Sequence, residues 1–313
     1  MITSGATTLR VLIWENRVAI FIVLVLVFGI ETSDYFWNVI DLGRPIFSMA
    51  ALGLLTTALS IFMVFRVNEA YARWWEARIL WGGIVNASRT YGRQTTTLLK
   101  NYRETADADE QQIFSWKHEL VYRHLAYINA LRMNLRREVD WQSLSPFLED
   151  KELADLESAA NKPAQLLQAQ GRRIAELRED GVLDQFGHLM LDNTLTELYS
   201  LQGACERIKN TVFPDRVAYF TRLVAWVMAV MIPVCVMEAD SNLDFIDFII
   251  VPAMMMVFIV TERLGAELKN PFMGRANDTP MSSLCRTIEI DMRQQLGETD
   301  VPEPLQPQRG VLM

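Results

Sequence analysis

The chain is poor in the residues on which most metal-binding and redox proteins depend. Its 313 residues include three cysteines and three histidines. Cys205, Cys235 and Cys285 are scattered and odd in number, with no C-x-x-C pair, so they imply neither a disulfide framework nor a zinc site. They read as reduced thiols, cytosolic or membrane-embedded. His118, His124 and His188 show no ligand spacing, so no metal and no cofactor are expected. A phosphate loop and a nucleophile–base set are missing too, which argues against an enzyme. Basic and acidic residues nearly cancel between Arg66 and Arg216, and the net charge is −8, so no basic stripe points to nucleic acid. No β-branched alternation marks a sheet, and no internal repeat is found. A cleavable signal peptide fits poorly, because no small-residue cleavage site follows residues 18–30.

What the chain has is apolar sequence in blocks. Half of the residues are hydrophobic, and mean hydropathy is +0.10 although 22% are charged. The apolar residues concentrate at 18–30, 45–65, 223–237 and 245–260. The second block, PIFSMAALGLLTTALSIFMVF, carries no charge. At about 1.5 Å per residue it is roughly 30 Å long as a helix, the thickness of a bilayer's hydrocarbon core. The first block reaches spanning length only with Leu9–Trp14 or Glu31–Trp37 added, and the fourth is interrupted by Asp247 and Pro252. Four spans are expected. The second runs without a break into FRVNEAYARWWEARILWGGIVNASR, so one helix should leave the membrane and continue into water. Pro233 and Pro252 should kink the third and fourth spans.

Lysine and arginine set the orientation. The loop after the first span holds Glu31, Asp34 and Asp41 against Arg44, and the loop before the fourth holds Glu238, Asp240, Asp244 and Asp247 with no basic residue. Arg10 and Arg17 precede the first span, Arg66, Arg73 and Arg78 follow the second, Arg207, Lys209 and Arg216 precede the third, and Arg263, Lys269 and Arg275 follow the fourth. Both termini and the central region therefore face the cytoplasm. Arg222, near the cytoplasmic end of the third span, can snorkel to the interface. The expected division is 1–65, 66–216, 217–262 and 263–313.

The central region reads as helix almost throughout. Ile113, Leu120, Tyr127, Ile128, Leu131 and Leu135 recur near a 3.6 period over 113–136. Ser145-Pro146 resembles a helix start. Residues 151–160 and 163–177 are helical by propensity, Gly181 is a stop, and another helix begins over 182–207. The tail after Gly297, with Pro302, Pro304 and Pro307, should be extended or disordered.

Three local motifs stand at the borders of these blocks. The first is Phe65-Arg66, then Tyr71-Ala72-Arg73-Trp74-Trp75-Glu76-Ala77-Arg78 and Leu80-Trp81-Gly82. The second is Cys205-Glu206-Arg207-Ile208-Lys209-Asn210-Thr211. The third is Asn270-Pro271-Phe272, Asn277-Asp278, Pro280 and Arg286-Thr287-Ile288-Glu289. In order and placement they resemble the bestrophin family, most closely its bacterial members, over about residues 9–296. The resemblance implies an all-α fold with four transmembrane helices per subunit continuing into a helical cytosolic domain. It also implies a homopentameric ion channel in the cell inner membrane, its pore on the fivefold axis. The second span would line a narrow neck, and cytosolic helices would enclose a vestibule ending in a second constriction.

Thr57, Ile61 and Phe65 are spaced by four and share one slightly drifting helical face. By the motif match they correspond to the family's neck residues, typically all apolar, from which Thr57 departs. Rings of Ile and Phe can gate by dewetting. The competing reading is that any spanning helix has an apolar face for its neighbours. Ala50, Ala51, Gly53, Ala58 and Ser60 suit close helix approach. Counting back from Cys205 places Leu189 at the cytosolic aperture, with His188 or Asp192 there if the register slips; otherwise Leu189 is core.

Eukaryotic bestrophins are Ca²⁺-activated anion channels, and at least some bacterial members conduct cations. The calcium site does not carry over to NPFMGRANDTP: Met273 replaces the usual Gly, Arg275 adds positive charge, and Asp278 is the lone acid. Glu31, Asp34, Asp41 and Glu238 would enrich cations at an outer mouth, which gives a slight lean to monovalent cations over anions. Two other classes remain open, a secondary transporter and a membrane-anchored helical scaffold or sensor.

Overall fold

A computed structural model describes residues 9–37, 49–100, 109–211, 215–239, 247–308 and 311–312. The start of the second expected span, at 45–48, and that of the fourth, at 245–246, lie outside them, as do Asp41, Arg44, Asp240 and Asp244. The elements in order are α1 (Leu9–Trp37), α2 (Met49–Leu98), α3 (Glu110–Arg136), a 3-10 turn (Trp141–Leu144), α4 (Asp150–Glu157), α5 (Lys162–Glu179), α6 (Gln185–Asn210), α7 (Asp215–Ala239), α8 (Asp247–Leu268) and α9 (Met281–Gln295). No strand occurs among the described residues; the extended tail holds one isolated bridge, Gln308 to Val311. Asp300 of that tail is tied to α9, its carbonyl accepting from Arg293 at 2.8 Å.

The chain packs as two units, residues 4–74 with 212–270, and residues 75–211 with 271–313. Helix α2 contributes its first half to one and its second half to the other.

The first unit is made of α1, the start of α2, α7 and α8. Its core is aliphatic: Val23 and Val27 of α1, Leu59 and Met63 of α2, Ala225, Met228 and Ile232 of α7, and Met255, Phe258 and Ile259 of α8. The opposite faces of the same helices are just as apolar and exposed: Phe21 and Phe28, Leu54 and Phe62, Leu223 and Val227, Ile249 and Val257. A helix apolar all round belongs in lipid or in a larger assembly, since a water-soluble monomer rarely exposes so much apolar surface. Three hydroxyls in the first half of α2 are satisfied within the helix: Thr56 donates to Leu52 O, Thr57 to Gly53 O and Ser60 to Thr56 O, each at 2.8 Å. Such back-bonding is what a hydroxyl needs where water is absent. Among the described residues one helix, Ala50–Leu98, is long and apolar enough to cross a membrane, and Asn16–Gly29 and Tyr219–Ile232 are shorter apolar segments. Helix α8 continues through Pro252.

The second unit is a helical bundle around α3, whose Leu120, Leu125, Ile128 and Leu131 are fully buried. Trp81, Tyr91, Tyr127 and Phe272 fill the space between helices. Helix starts are capped as the sequence invites: Asp109 accepts from Gln112 N, Asn161 from Ala164 N and Asp184 from Gly187 N. Gly181 ends the α5 segment at φ 78°, a left-handed conformation that suits glycine. Ser145-Pro146 does not start a helix. The segment is a run of tight turns, Ser145 N bonding Gln142 O and Phe147 N bonding Leu144 O, and α4 begins at Asp150. There the acids Asp150 and Glu152 favour the first turn.

His124 lies in this core, stacked on Tyr91 at 4.9 Å, with Nε2 2.9 Å from the Ser88 hydroxyl and Nδ1 without a partner. Burial pushes its pKa down to about 3 from 6.5. The unfolded chain therefore binds the proton first. His124 costs nothing above its unfolded pKa, and it withdraws stability as pH falls from about 6.5 toward about 3, by about 1.4 kcal/mol per unit. His124→Phe is expected to flatten the loss of thermal stability between about pH 7 and pH 5. Equal slopes for parent and variant would show that the imidazole is not a buried neutral group.

Candidate ion pathway

Parts of the three motifs meet in the second unit. Glu76 of the first pairs with Arg207 of the second at 2.7 Å, across 131 positions of sequence. Lys209 of the second reaches the Met273 sulfur beside the third at 3.3 Å. Trp81, Cys205 and Phe272 are their buried anchors. Cys205 and Cys285 are free thiols whose pKa burial pushes up to about 12, so both stay protonated and unreactive.

Helix α2 is unbroken through its 50 residues and carries the three neck candidates. All three side chains are exposed within the subunit, Ile61 at 52% and Phe65 at 64%. Leu59, Met63 and Arg66 take the buried side of the helix, so the face bearing Thr57, Ile61 and Phe65 is open to another body. Because the Thr57 hydroxyl is committed to Gly53 O, it offers that face an oxygen lone pair more readily than a donor. Leu189 on α6 is 50% exposed, which rules out its reading as core; His188 beside it is partly buried and Asp192 is exposed.

One cluster was not signalled by any local pattern. Both terminal nitrogens of Arg66 donate to the same Glu262 oxygen, at 3.1 and 3.2 Å, and Arg222 Nε reaches that oxygen at 3.3 Å. Arg66 is 6% exposed, Glu262 11% and Arg222 56%. Next to it, Arg263 donates to Asn16 Oδ1 at 3.2 Å and to Glu267 at 3.1 Å. These bonds bring residues of α1, α2, α7 and α8 to one level of the first unit, one residue past Phe65.

In the third motif, Asp278 is buried and its Oδ2 accepts from Met273 N at 2.7 Å and Arg275 N at 3.0 Å. Burial raises its pKa, against the pull of those amides and of Arg275. The carboxylate closes the NPFMGRAND loop on itself. No group of three or more His, Cys, Asp or Glu side chains with metal-holding geometry occurs among the described residues.

Known proteins agree with this arrangement in sequence and in fold. The family described as bacterial/fungal bestrophin protein matches residues 2–294. The voltage-dependent anion channel-forming protein YneE of Salmonella typhimurium is 32% identical over 257 residues, 82% of this chain and 79% of that one. The voltage-dependent anion channel-forming protein mll4386 of Mesorhizobium japonicum is 31% identical over 262 residues, 84% and 79%. The crystal structure of a bacterial bestrophin homologue from Klebsiella pneumoniae superposes with TM-score 0.78 at 24% identity, covering 89% of this chain and 97% of that one.

Proposed function

Because the chain belongs to the bacterial/fungal bestrophin family, a family of ion channels rather than enzymes, we propose that it is the subunit of a homopentameric channel in the cell inner membrane. Its α1, α7, α8 and the first half of α2 span the bilayer, and both termini face the cytoplasm. Its permeants are monovalent ions. The neck consists of rings of Thr57, Ile61 and Phe65, and Leu189 stands at a second, cytosolic aperture. The observation that carries this reading is α2 itself: one continuous 50-residue helix whose Thr57–Ile61–Phe65 face its own subunit leaves uncovered. A pentamer closes that face into a bore; a transporter or an anchored scaffold has no use for it. Channel-scale unitary currents in a planar bilayer, and a pentameric mass in detergent, are the expected results. A stable monomer or dimer would overturn the assembly.

The sign of the ion is the finer question. The lean toward cations rests on the bacterial resemblance and on Glu31, Asp34, Asp41 and Glu238, whose side chains lie outside the described residues, whereas the relatives are named as anion channel-forming proteins. The names of those relatives are what support an anion as the permeant here. In asymmetric NaCl the reversal potential is expected on the chloride side; a reversal at the sodium potential would restore the cation reading.

Calcium is not expected to gate the channel. A micromolar Ca²⁺ site needs several oxygen ligands with compensating charge, and Asp278 already receives two backbone N–H groups. Chelating Ca²⁺ on the cytosolic face should leave the current unchanged. Reversible loss, restored by micromolar Ca²⁺, would place ligands elsewhere in the chain.

A further inference from the structure

The level marked by Glu262 carries more than a buried ion pair. On α1 the Arg17 guanidinium lies over the Trp14 ring at 4.4 Å, and both side chains are exposed. On α7, Tyr219 and Phe220 are exposed within one turn of Arg222, itself more than half exposed. Asn16 and Arg222 reach adjacent residues of α8, Arg263 and Glu262, so the α1 and α7 groups stand near one level along α8. The Glu262 carboxylate is turned inward to Arg66, whereas Arg17 is exposed and Arg222, which also reaches it, is more than half exposed. Beyond this band in one direction the exposed side chains become wholly apolar: Phe21, Leu24 and Val25 on α1, Leu223 and Val227 on α7. A girdle of Trp and Tyr with exposed arginines, bordering an apolar surface, has the chemistry of the headgroup layer.

We propose that this band, with Trp14 and Arg17 on α1 and Tyr219 and Arg222 on α7, binds the phosphate headgroups of anionic membrane lipids. Arginine presents a planar fork that matches a phosphate bidentately, and the neighbouring rings accommodate the glycerol region at the apolar boundary. Arg222 is the informative member, since it shares Glu262 with Arg66. A phosphate that engages Arg222 leaves the Glu262 oxygen to Arg66 alone, and Arg66 follows Phe65 directly. Lipid composition is thereby coupled to the seating of α2; this consequence rests on the neck reading, whereas the binding does not.

The test is native mass spectrometry of the full-length protein in detergent, with phosphatidylglycerol or phosphatidylcholine added at equal mole fraction. The expected result is preferential retention of phosphatidylglycerol, reduced about fivefold by Arg17→Gln or Arg222→Gln alone and roughly thirtyfold by both together. Arg89→Gln/Arg93→Gln, two exposed arginines of the other unit, should leave retention unchanged. Equal retention of the two lipids, an unaffected Arg17→Gln/Arg222→Gln variant, or an equal drop in the Arg89/Arg93 control would overturn the proposal. The readout involves no current, so its failure and the failure of the neck reading are separate outcomes. Unchanged elution on size exclusion and an unchanged count of bound phosphatidylcholine would show that the variants are folded.

Discussion

Replacing Phe65 with alanine is expected to raise single-channel conductance or open probability several-fold, and Ile61→Ala is expected to do the same. In the proposed pentamer each substitution removes five large side chains from one ring of a narrow apolar bore. Such a bore disfavours water and hence a hydrated ion, so widening it relieves the dewetting barrier. The subunit should tolerate both changes, because neither side chain contributes to its core, unlike the neighbouring Met63, at 3% exposure. Phe62→Ala is the matched control. Phe62 is also exposed, but it lies about 100° around the helix from Ile61. It should leave conductance as in the parent. Planar-bilayer recording of variants that elute as the parent oligomer decides the matter. If Ile61→Ala and Phe65→Ala conduct like the parent, that face meets lipid or a neighbouring helix, and the neck must be sought elsewhere.

The long helices were legible because their signals are local. The uncharged stretch that ends at Phe65, the apolar period over 113–136 and the stop at Gly181 each act within a few positions, and α2, α3 and the end of α5 follow them. Ser145-Pro146 misled because a serine before a proline favours a tight turn as well as a helix start. The carbonyls of Gln142 and Leu144 close turns there before any helix can propagate. Leu189 is apolar at a helical spacing, so sequence alone reads it equally as core or as surface; only the packing of α6 shows it to be exposed. The Arg66–Glu262 pair was beyond reach for a different reason. Its partners are 196 positions apart, and neither carries a neighbouring pattern that names the other. Arg222 reads from sequence as an arginine that can snorkel to the interface, and nothing in its surroundings announces the carboxylate it shares.

Removing that carboxylate is the second large effect expected. Glu262→Ala should destabilise the folded subunit by about 3–5 kcal/mol, the usual cost of leaving one partner of a buried ion pair alone. Arg66 bears most of the loss. At 6% exposure it has little access to water, and both of its terminal nitrogens depend on the one Glu262 oxygen. Arg222, more than half exposed, can turn to the interface and should contribute little. Arg66→Met combined with Glu262→Leu should recover most of the loss, since a well-packed apolar pair of similar volume avoids the desolvation cost that the ions incur. Thermal unfolding in detergent, followed by helical signal and by the fraction retained as oligomer, supplies the four corners of a double-mutant cycle. A large positive coupling between Arg66 and Glu262, and a much smaller one between Arg222 and Glu262, is the expected pattern. Glu262→Ala as stable as the parent would mean that Arg66 finds another partner or water at this level, and that α2 is not pinned to α8 beside Phe65.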